Sequence, residues 1–149
     1  MRISPWRRCQ LAMVSMVLAF MLLRPLIAEA LCVRGDEFLR SGAPTTAEHY
    51  YRLALASDPN CETAAERFTF ASLEIHARPA LAAGIKVADA YLMRHSDEAI
   101  QIDRALALWS VNDFARAAKE LRVLGTMTHD RRFTRLAQIA TLRAIKVRR

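Results

Sequence analysis

The chain has 149 residues and a formal net charge of +7, with 22 lysines and arginines against 15 aspartates and glutamates. This length fits one domain built around a single core. No Gly-rich linker, low-complexity tract or strand-like alternation interrupts residues 31–149, which argues against a flexible multidomain chain and against a sheet-based fold. The sequence therefore predicts an all-α protein.

The first thirty residues have the layout of a secretory signal peptide. Three arginines among the first eight residues precede an uncharged apolar run over 11–23, and Ala28-Glu29-Ala30 follows as a small-residue cleavage site. The run is shorter than the roughly 18 residues that span a bilayer. We therefore predict cleavage after Ala30, with residues 1–30 as the signal peptide and a periplasmic or secreted product. An uncleaved leader that anchors the same domain to a membrane is the alternative.

The basic residues are unevenly distributed along the chain. Residues 1–30 contain four arginines and one glutamate, and residues 130–149 contain seven basic residues and one acid. Residues 31–129 contain eleven basic and thirteen acidic residues and are nearly neutral. Nucleic acid is the least favoured partner, because an exported protein rarely meets it and no stacking aromatics interleave with the terminal arginines.

Breaker residues divide the next part of the chain into predicted helices. A first helix is expected over 31–41 and a second over 44–57. Asn60 follows Asp58-Pro59 and is the expected N-cap of a third helix over 61–77, because its side chain can accept from free backbone amides. The spacing of the apolar residues on these segments indicates helices that bury one face.

Small and large residues recur at fixed offsets in the first two predicted helices. The set consists of Gly35, Phe38, Ala47, Tyr51, Ala54 and Pro59. This spacing resembles that of a tetratricopeptide repeat, a helix-turn-helix unit of roughly 34 residues whose stacked copies form a binding surface. The resemblance implies antiparallel helix pairs and a protein-binding function, without identifying the partner.

Two further copies of this pattern follow the first. A shift of 70 residues carries its five helix positions onto small or apolar residues, namely Ala105, Leu108, Ala117, Leu121 and Leu124. The middle copy is weaker: a shift of 34 gives Thr69 and Ser72, and a shift of 36 gives Ala83, Val87 and Ala90. We therefore predict a helical repeat domain over 31–149, with units over 31–60, 61–95 and 96–127.

The segment 130–147 is predicted to be an amphipathic, basic capping helix. Its apolar stripe consists of Phe133, Leu136, Ala137, Ala140, Ala144 and Val147, and its basic residues are Arg131, Arg132, Arg135, Arg143 and Lys146. A repeat array needs a terminal helix that covers its open apolar end. The basic face is either a solvated surface or a contact with anionic lipid headgroups or an acidic partner.

The cysteine content supports export. Once residues 1–30 are removed, only Cys32 and Cys61 remain. In an antiparallel helix pair the start of the first helix lies beside the end of the second, so we predict a disulfide between these two residues in an oxidising compartment. Two partly buried free thiols are the alternative.

The sequence contains no recognisable catalytic or metal-binding motif. The four histidines are scattered singly, without the spacing of a metal site and without a paired CxxC. No serine lies in a GxSxG context, and no Gly-rich phosphate loop is present. We therefore expect no enzymatic activity, no metal and no cofactor.

In the resembled family, the first helix of each unit lines a concave face. The corresponding residues here are Asp36, Leu39, Arg40, Glu66, Phe70, Leu73, Glu74, Ile102, Leu106 and Trp109. The resemblance implies that this mixed apolar and acidic strip holds an extended peptide or a helix of a partner, with Trp109 as an anchor. Plain core packing is the alternative for Phe70, Leu73 and Trp109.

These features predict a non-enzymatic adaptor that binds a partner protein in the cell envelope. A receptor for acidic C-terminal peptides is not expected, because Cys32 and Asp36 occupy the positions of the Lys/Asn clamp that some family members use. The alternative is a membrane-surface protein, held at the bilayer by an uncleaved leader and by the basic C-terminal helix.

Overall fold

A computed structural model describes residues 5–147, and over that range the chain forms seven α-helices and no β-strand. The helices are α1 Pro5–Arg40, α2 Pro44–Ser57, α3 Glu62–Ile75, α4 Arg78–Leu92, α5 Glu98–Ser110, α6 Phe114–Thr128 and α7 Arg131–Val147. Consecutive helices pack against each other as hairpins. The predicted all-α fold with helical-repeat packing is therefore confirmed, as are the bounds of the second helix and the extent of the last.

The helices are arranged in two layers. Within the pairs α1 and α2, α3 and α4, and α5 and α6, each first helix packs on its second helix. In addition, α3 contacts both α1 and α5. The first helices of the three pairs therefore lie side by side, and their outward surface, formed by α1, α3 and α5, is named the first-helix face below. The last helix, α7, packs on α6.

The start of the first helix differs from the prediction. We expected a helix over 31–41, but α1 runs without interruption from Pro5 to Arg40 and contains Pro25 in its interior. Its segment before residue 31 also packs on the domain: Ala28 is fully buried, and the Arg24 Nε donates to the Ser57 carbonyl oxygen at 2.8 Å. A change in composition at residue 30 is therefore not a boundary of the helix.

Aspartate side chains cap the starts of two helices. The Asp97 carboxylate accepts from the Ile100 amide at 2.8 Å at the start of α5, and Asp113 accepts from the Arg116 amide at 3.2 Å at the start of α6. The predicted cap at Asn60 is wrong. Its Oδ1 instead accepts from Arg94 Nη1 at 2.8 Å, which joins the first turn between pairs to the end of α4.

Small residues allow the two helices of a pair to approach closely. A Cβ on Gly35 would lie 2.5 Å from the Tyr51 ring, and a Cβ on Gly84 would lie 2.0 Å from the Ser72 Oγ. Such distances leave no room for a side chain. The glycine that allows close approach therefore lies on the first helix, α1, in the first pair and on the second helix, α4, in the second pair.

The repeat register is confirmed in the third unit and wrong by one residue in the middle unit. In the third unit all five predicted positions, from Ala105 to Leu124, are buried. In the middle unit Thr69 and Ser72 are buried as expected. The buried residues of α4 are not the predicted Ala83, Val87 and Ala90, however, but Leu81, Gly84, Ile85, Ala88 and Tyr91. The turn that precedes α4 contains His76 in the left-handed conformation.

An ion-pair network joins the second and third pairs. Arg104 of α5 contacts Asp89 of α4 at 2.8 Å and Glu120 of α6 at 2.5 Å, and Arg116 reaches the same Asp89 at 3.0 Å. The Arg104 side chain is only 14% exposed. Because one guanidinium contacts carboxylates on both neighbouring helices, it fixes the position of α5 between α4 and α6.

We predict that Gly84→Ala destabilises the fold by about 2 kcal/mol, because the new methyl group overlaps Ser72 in a packed interface. Alanine has the higher helix propensity, so the sign of the change separates packing from propensity. Urea unfolding followed by circular dichroism measures it. The double variant Gly84→Ala/Ser72→Gly removes the overlapping side chain and is expected to recover most of the lost stability. A Gly84→Ala chain as stable as the original would contradict the close approach.

Candidate functional site

On α3 and α5, the first-helix face exposes two large apolar side chains. Phe70 of α3 and Leu106 of α5 are 39% and 46% exposed. The other apolar members of the predicted strip are less accessible, since Leu39, Leu73 and Ile102 are half-buried, while the charged Arg40 and Glu74 are exposed. Because α3 and α5 lie side by side, Phe70 and Leu106 belong to one continuous surface.

Carboxylates lie beside this apolar surface. Glu66 is one turn before Phe70 on α3, and Asp103 is nearly one turn before Leu106 on α5. Burial first, and then the nearby charges of Glu66 and Asp97, raise the pKa of Asp103 to about 6. The carboxylates of Glu66, Asp97 and Asp103 therefore lie close enough for their charges to interact where α3 and α5 meet.

Sequence reasoning missed Asp103. The predicted strip took Ile102, Leu106 and Trp109 from this helix, yet Asp103 is three residues before Leu106 and so lies on the same side of α5. The available signal was this spacing. The strip was predicted by carrying positions of one repeat over to the next, and Asp103 is not at one of those positions.

Asp36 is tied to the interior of the domain. Its Oδ1 accepts a hydrogen bond from the Tyr51 hydroxyl at 2.7 Å, and the Arg67 Nε lies 3.7 Å from the same oxygen. Burial and the bonded carboxylate raise the pKa of Tyr51. Asp36 therefore joins α1, α2 and α3, and only part of its side chain is available to a partner.

Trp109 lies at the junction of three helices. Its ring meets the edge of Phe114 of α6 with 5.5 Å between centroids, and the Arg143 guanidinium of α7 lies 5.0 Å from its centroid. Leu73 similarly packs beside the cluster that contains Leu81. Both side chains therefore hold helices together, and their predicted contact with a partner stays a prediction.

The predicted disulfide is not formed in this structure. Cys32 is buried and Cys61 is half-buried, both as free thiols, in one apolar cluster with Tyr51 and Phe68. Burial first, and then the neighbouring Cys61, raise the pKa of the Cys32 thiol to about 12. The thiolate needed for disulfide exchange is therefore disfavoured at Cys32. The bridge stays a prediction for the exported protein, which its free-thiol content tests.

The C-terminal helix covers α6 with only part of its predicted stripe. Ala137 and Ala140 are buried and Phe133 and Ala144 are half-buried, but Leu136 and Val147 are exposed. Three further apolar residues that the stripe did not include, Ile139, Leu142 and Ile145, are also exposed. A cavity of about 540 Å³ between α6 and α7 is bounded by Arg122 and Leu142 among others. The helix therefore caps the array and adds an apolar surface.

Comparison with known proteins does not indicate a function. No family model, no curated protein and no solved structure matches the chain. The tetratricopeptide resemblance accordingly stays an expectation from the residue spacing, and the structure shows only the packing of consecutive helices. The exposed side chains of the first-helix face and of α7 are therefore the features that indicate a function.

We predict that Asp103→Asn stabilises the fold by about 1 kcal/mol at pH 7 and has little effect near pH 4. Folding raises the pKa of Asp103, so the folded chain binds more protons than the unfolded chain between about pH 4 and 6; the cost of ionising this carboxyl in the folded chain therefore grows through that range and is complete above it. The full shift of about two units corresponds to roughly 2.7 kcal/mol, which is reduced here because the carboxyl is partly exposed.

Urea unfolding at both pH values measures the effect of Asp103→Asn. Glu74→Gln is the control, since Glu74 is an exposed carboxylate on the same face, and a change within about 0.5 kcal/mol is expected for it. An Asp103→Asn variant that is less stable than the original chain at pH 7 would contradict the account of this cluster.

Proposed function

We propose that the protein is a non-enzymatic adaptor that binds a segment of a partner protein on the first-helix face. The observation that supports this most is the exposure of Phe70 and Leu106 on neighbouring helices, beside the carboxylates of Glu66 and Asp103. Apolar side chains surrounded by charge are typical of surfaces that recognise a peptide or an amphipathic helix. The tetratricopeptide resemblance assigns binding to the same helices.

The composition of the face specifies the kind of segment it fits. Phe70 and Leu106 favour an apolar side chain, and the acidic pair Glu66 and Asp103 favours a lysine or arginine placed nearby. A cation placed beside these two carboxylates relieves the repulsion between them. The proposed ligand is therefore an extended or helical segment with an apolar anchor and an adjacent basic residue.

In this proposal the protein binds its partner in the cell envelope. Basic residues precede the apolar part of α1, and this is the one helix in the described residues that is long and apolar enough to cross a membrane, a property that signal sequences and membrane anchors share. The leader supports export in either case.

The adaptor proposal predicts that charge on the first-helix face abolishes partner capture. A C-terminally tagged full-length chain is crosslinked in its native cells and compared with the Phe70→Glu/Leu106→Glu variant. We expect at least a tenfold loss of one specific partner, because the variant removes the apolar contact and burying a carboxylate against the apolar anchor costs desolvation free energy. Circular dichroism confirms that the variant remains folded.

A matched control for that experiment lies on the second helices. Leu53 of α2 and Val123 of α6 are both 41% exposed, so Leu53→Glu/Val123→Glu introduces the same charge at similar exposure away from the first-helix face. This control is expected to capture the partner as the original chain does. Equal capture by all three chains would contradict the proposed binding surface.

A membrane-surface role is the second candidate. It is favoured by α7, where Ile139, Leu142 and Ile145 are exposed beside basic residues such as Arg135 and Lys146. A helix with this combination binds anionic bilayer surfaces through apolar burial and electrostatic attraction. In this function the first-helix face is packing surface, and α7 makes the functional contact.

The membrane-surface role predicts that anionic lipid protects α7. The full-length chain is reconstituted into vesicles with and without anionic lipid, and amide hydrogen exchange is followed over 131–147. Slower exchange in the anionic vesicles is expected, and Ile139→Glu/Leu142→Glu is expected to abolish the difference, because it removes apolar area and adds repulsion. The same exchange rate in both kinds of vesicle would contradict this role.

A further inference from the structure

The N-terminal part of α1 presents apolar side chains that no other part of the described chain covers. Between residues 13 and 27 nine large apolar side chains are exposed: Met13, Val14, Met16, Val17, Met21, Leu22, Leu23, Leu26 and Ile27. Around the helix these residues occupy every side rather than one stripe, so a single protein groove does not cover them. A surface that is apolar all round is typical of a helix in lipid.

The sequence on either side of this segment fits a bilayer. Residues 9–23 contain no charged side chain and lie between Arg8 and Arg24. Fifteen residues extend over roughly 22 Å as a helix, less than the roughly 30 Å of an average hydrocarbon core. Thinning of the bilayer and extension of the flanking arginine side chains toward the interface accommodate such a difference.

The end of the segment is fixed to the repeat domain. Arg24 Nε donates to the last carbonyl of α2, that of Ser57, at 2.8 Å. One turn later, Ala28 is fully buried in the cluster formed by Ala47, Tyr51 and Ala54. Removing residues 1–30 would take the Arg24 hydrogen bond and the Ala28 packing away from the first helix pair.

The same packing places the predicted cleavage site inside a helix. Ala28-Glu29-Ala30 continues directly into Leu31 and Cys32 within α1, and Cys32 is buried like Ala28. Proteolysis favours exposed loops with flexible backbone. In the folded domain the bond after Ala30 is therefore held within a helix whose residues Ala28 and Cys32 are buried.

We propose that residues 1–30 are retained and that α1 anchors the protein in a lipid bilayer, with residues 9–23 in the membrane and the repeat domain beginning at Arg24. The three arginines before residue 9 stay on the cytoplasmic side, which places the domain on the opposite side. Because α1 is one helix through Arg40, the anchor also forms the first helix of the first pair. Asp36, the first residue of the predicted binding strip, lies about 18 Å along the helix from Arg24.

The test uses the full-length chain with a C-terminal tag in its native cells. Membranes are separated, washed with alkaline carbonate, and the intact mass of the tagged protein is measured in each fraction. We expect the protein in the washed membranes, with a mass that includes residues 1–30. A soluble product that begins at Leu31 would overturn the proposal. This readout needs no partner, so its outcome is independent of the proposed adaptor function.

Two substitutions at positions of nearly equal exposure distinguish insertion of residues 9–23 into the bilayer from other causes of membrane association. Val17 and Val33 are 54% and 55% exposed on the same helix, but only Val17 lies within residues 9–23. Val17→Arg is expected to lower the ratio of membrane to soluble protein at least tenfold, because a charge near the centre of the span opposes insertion. Val33→Arg is expected to leave the ratio unchanged. An unchanged ratio for Val17→Arg, or an equal loss for both, would overturn the proposal.

Discussion

Close approach of the two helices within each pair is the constraint on which the rest of the structure depends. Gly35 lies against the Tyr51 ring in the first pair, and Gly84 lies against Ser72 in the second. In the third pair Ala105 and Ala117 are both buried. When two helices approach this closely, their relative rotation is fixed by interdigitation. This rotation determines which side of each first helix faces outward, and therefore which residues lie on the first-helix face.

Contacts between pairs turn this local constraint into a continuous surface. Arg104 joins α5 to α4 and α6 through two carboxylates, and Asn60 joins the first interpair turn to Arg94. Such contacts between neighbours are what stabilises a repeat array, in which each unit touches only the next. The surface they align combines Phe70 and Leu106 with the half-buried carboxylates of Glu66 and Asp103, and the burial and the neighbouring charge together raise the pKa of Asp103.

The sequence predicted those parts of the fold that depend on recognisable residue types at regular positions. The third unit was predicted residue by residue, because its small and apolar positions repeat those of the first unit at one constant shift. The middle unit was misplaced by one residue in α4, since a left-handed residue such as His76 sets the length of a turn without a distinctive residue type. The start of α1 was missed because an apolar leader and an amphipathic repeat helix are both good helix formers.

The candidate site was predicted less completely than the fold. Spacing identified α3 and α5 as the helices that supply the face, but it did not separate residues that hold helices together from residues that stay accessible. Trp109 is covered by Arg143 of α7, a residue that lies 34 positions later in the chain. Asp103 was overlooked because its environment comes from Glu66 on another helix. Such properties arise from tertiary packing and have no local sequence signal.

The central claim is that the partner contacts the first-helix face, and photo-crosslinking from single positions tests it most directly. A photoreactive amino acid is placed at Phe70 in one chain and at Leu53 of α2 in another, two positions of similar exposure on opposite layers. Irradiation in native cells is predicted to give one discrete crosslinked product from position 70 and none from position 53. The same product from both positions, or a product from position 53 alone, would contradict the account.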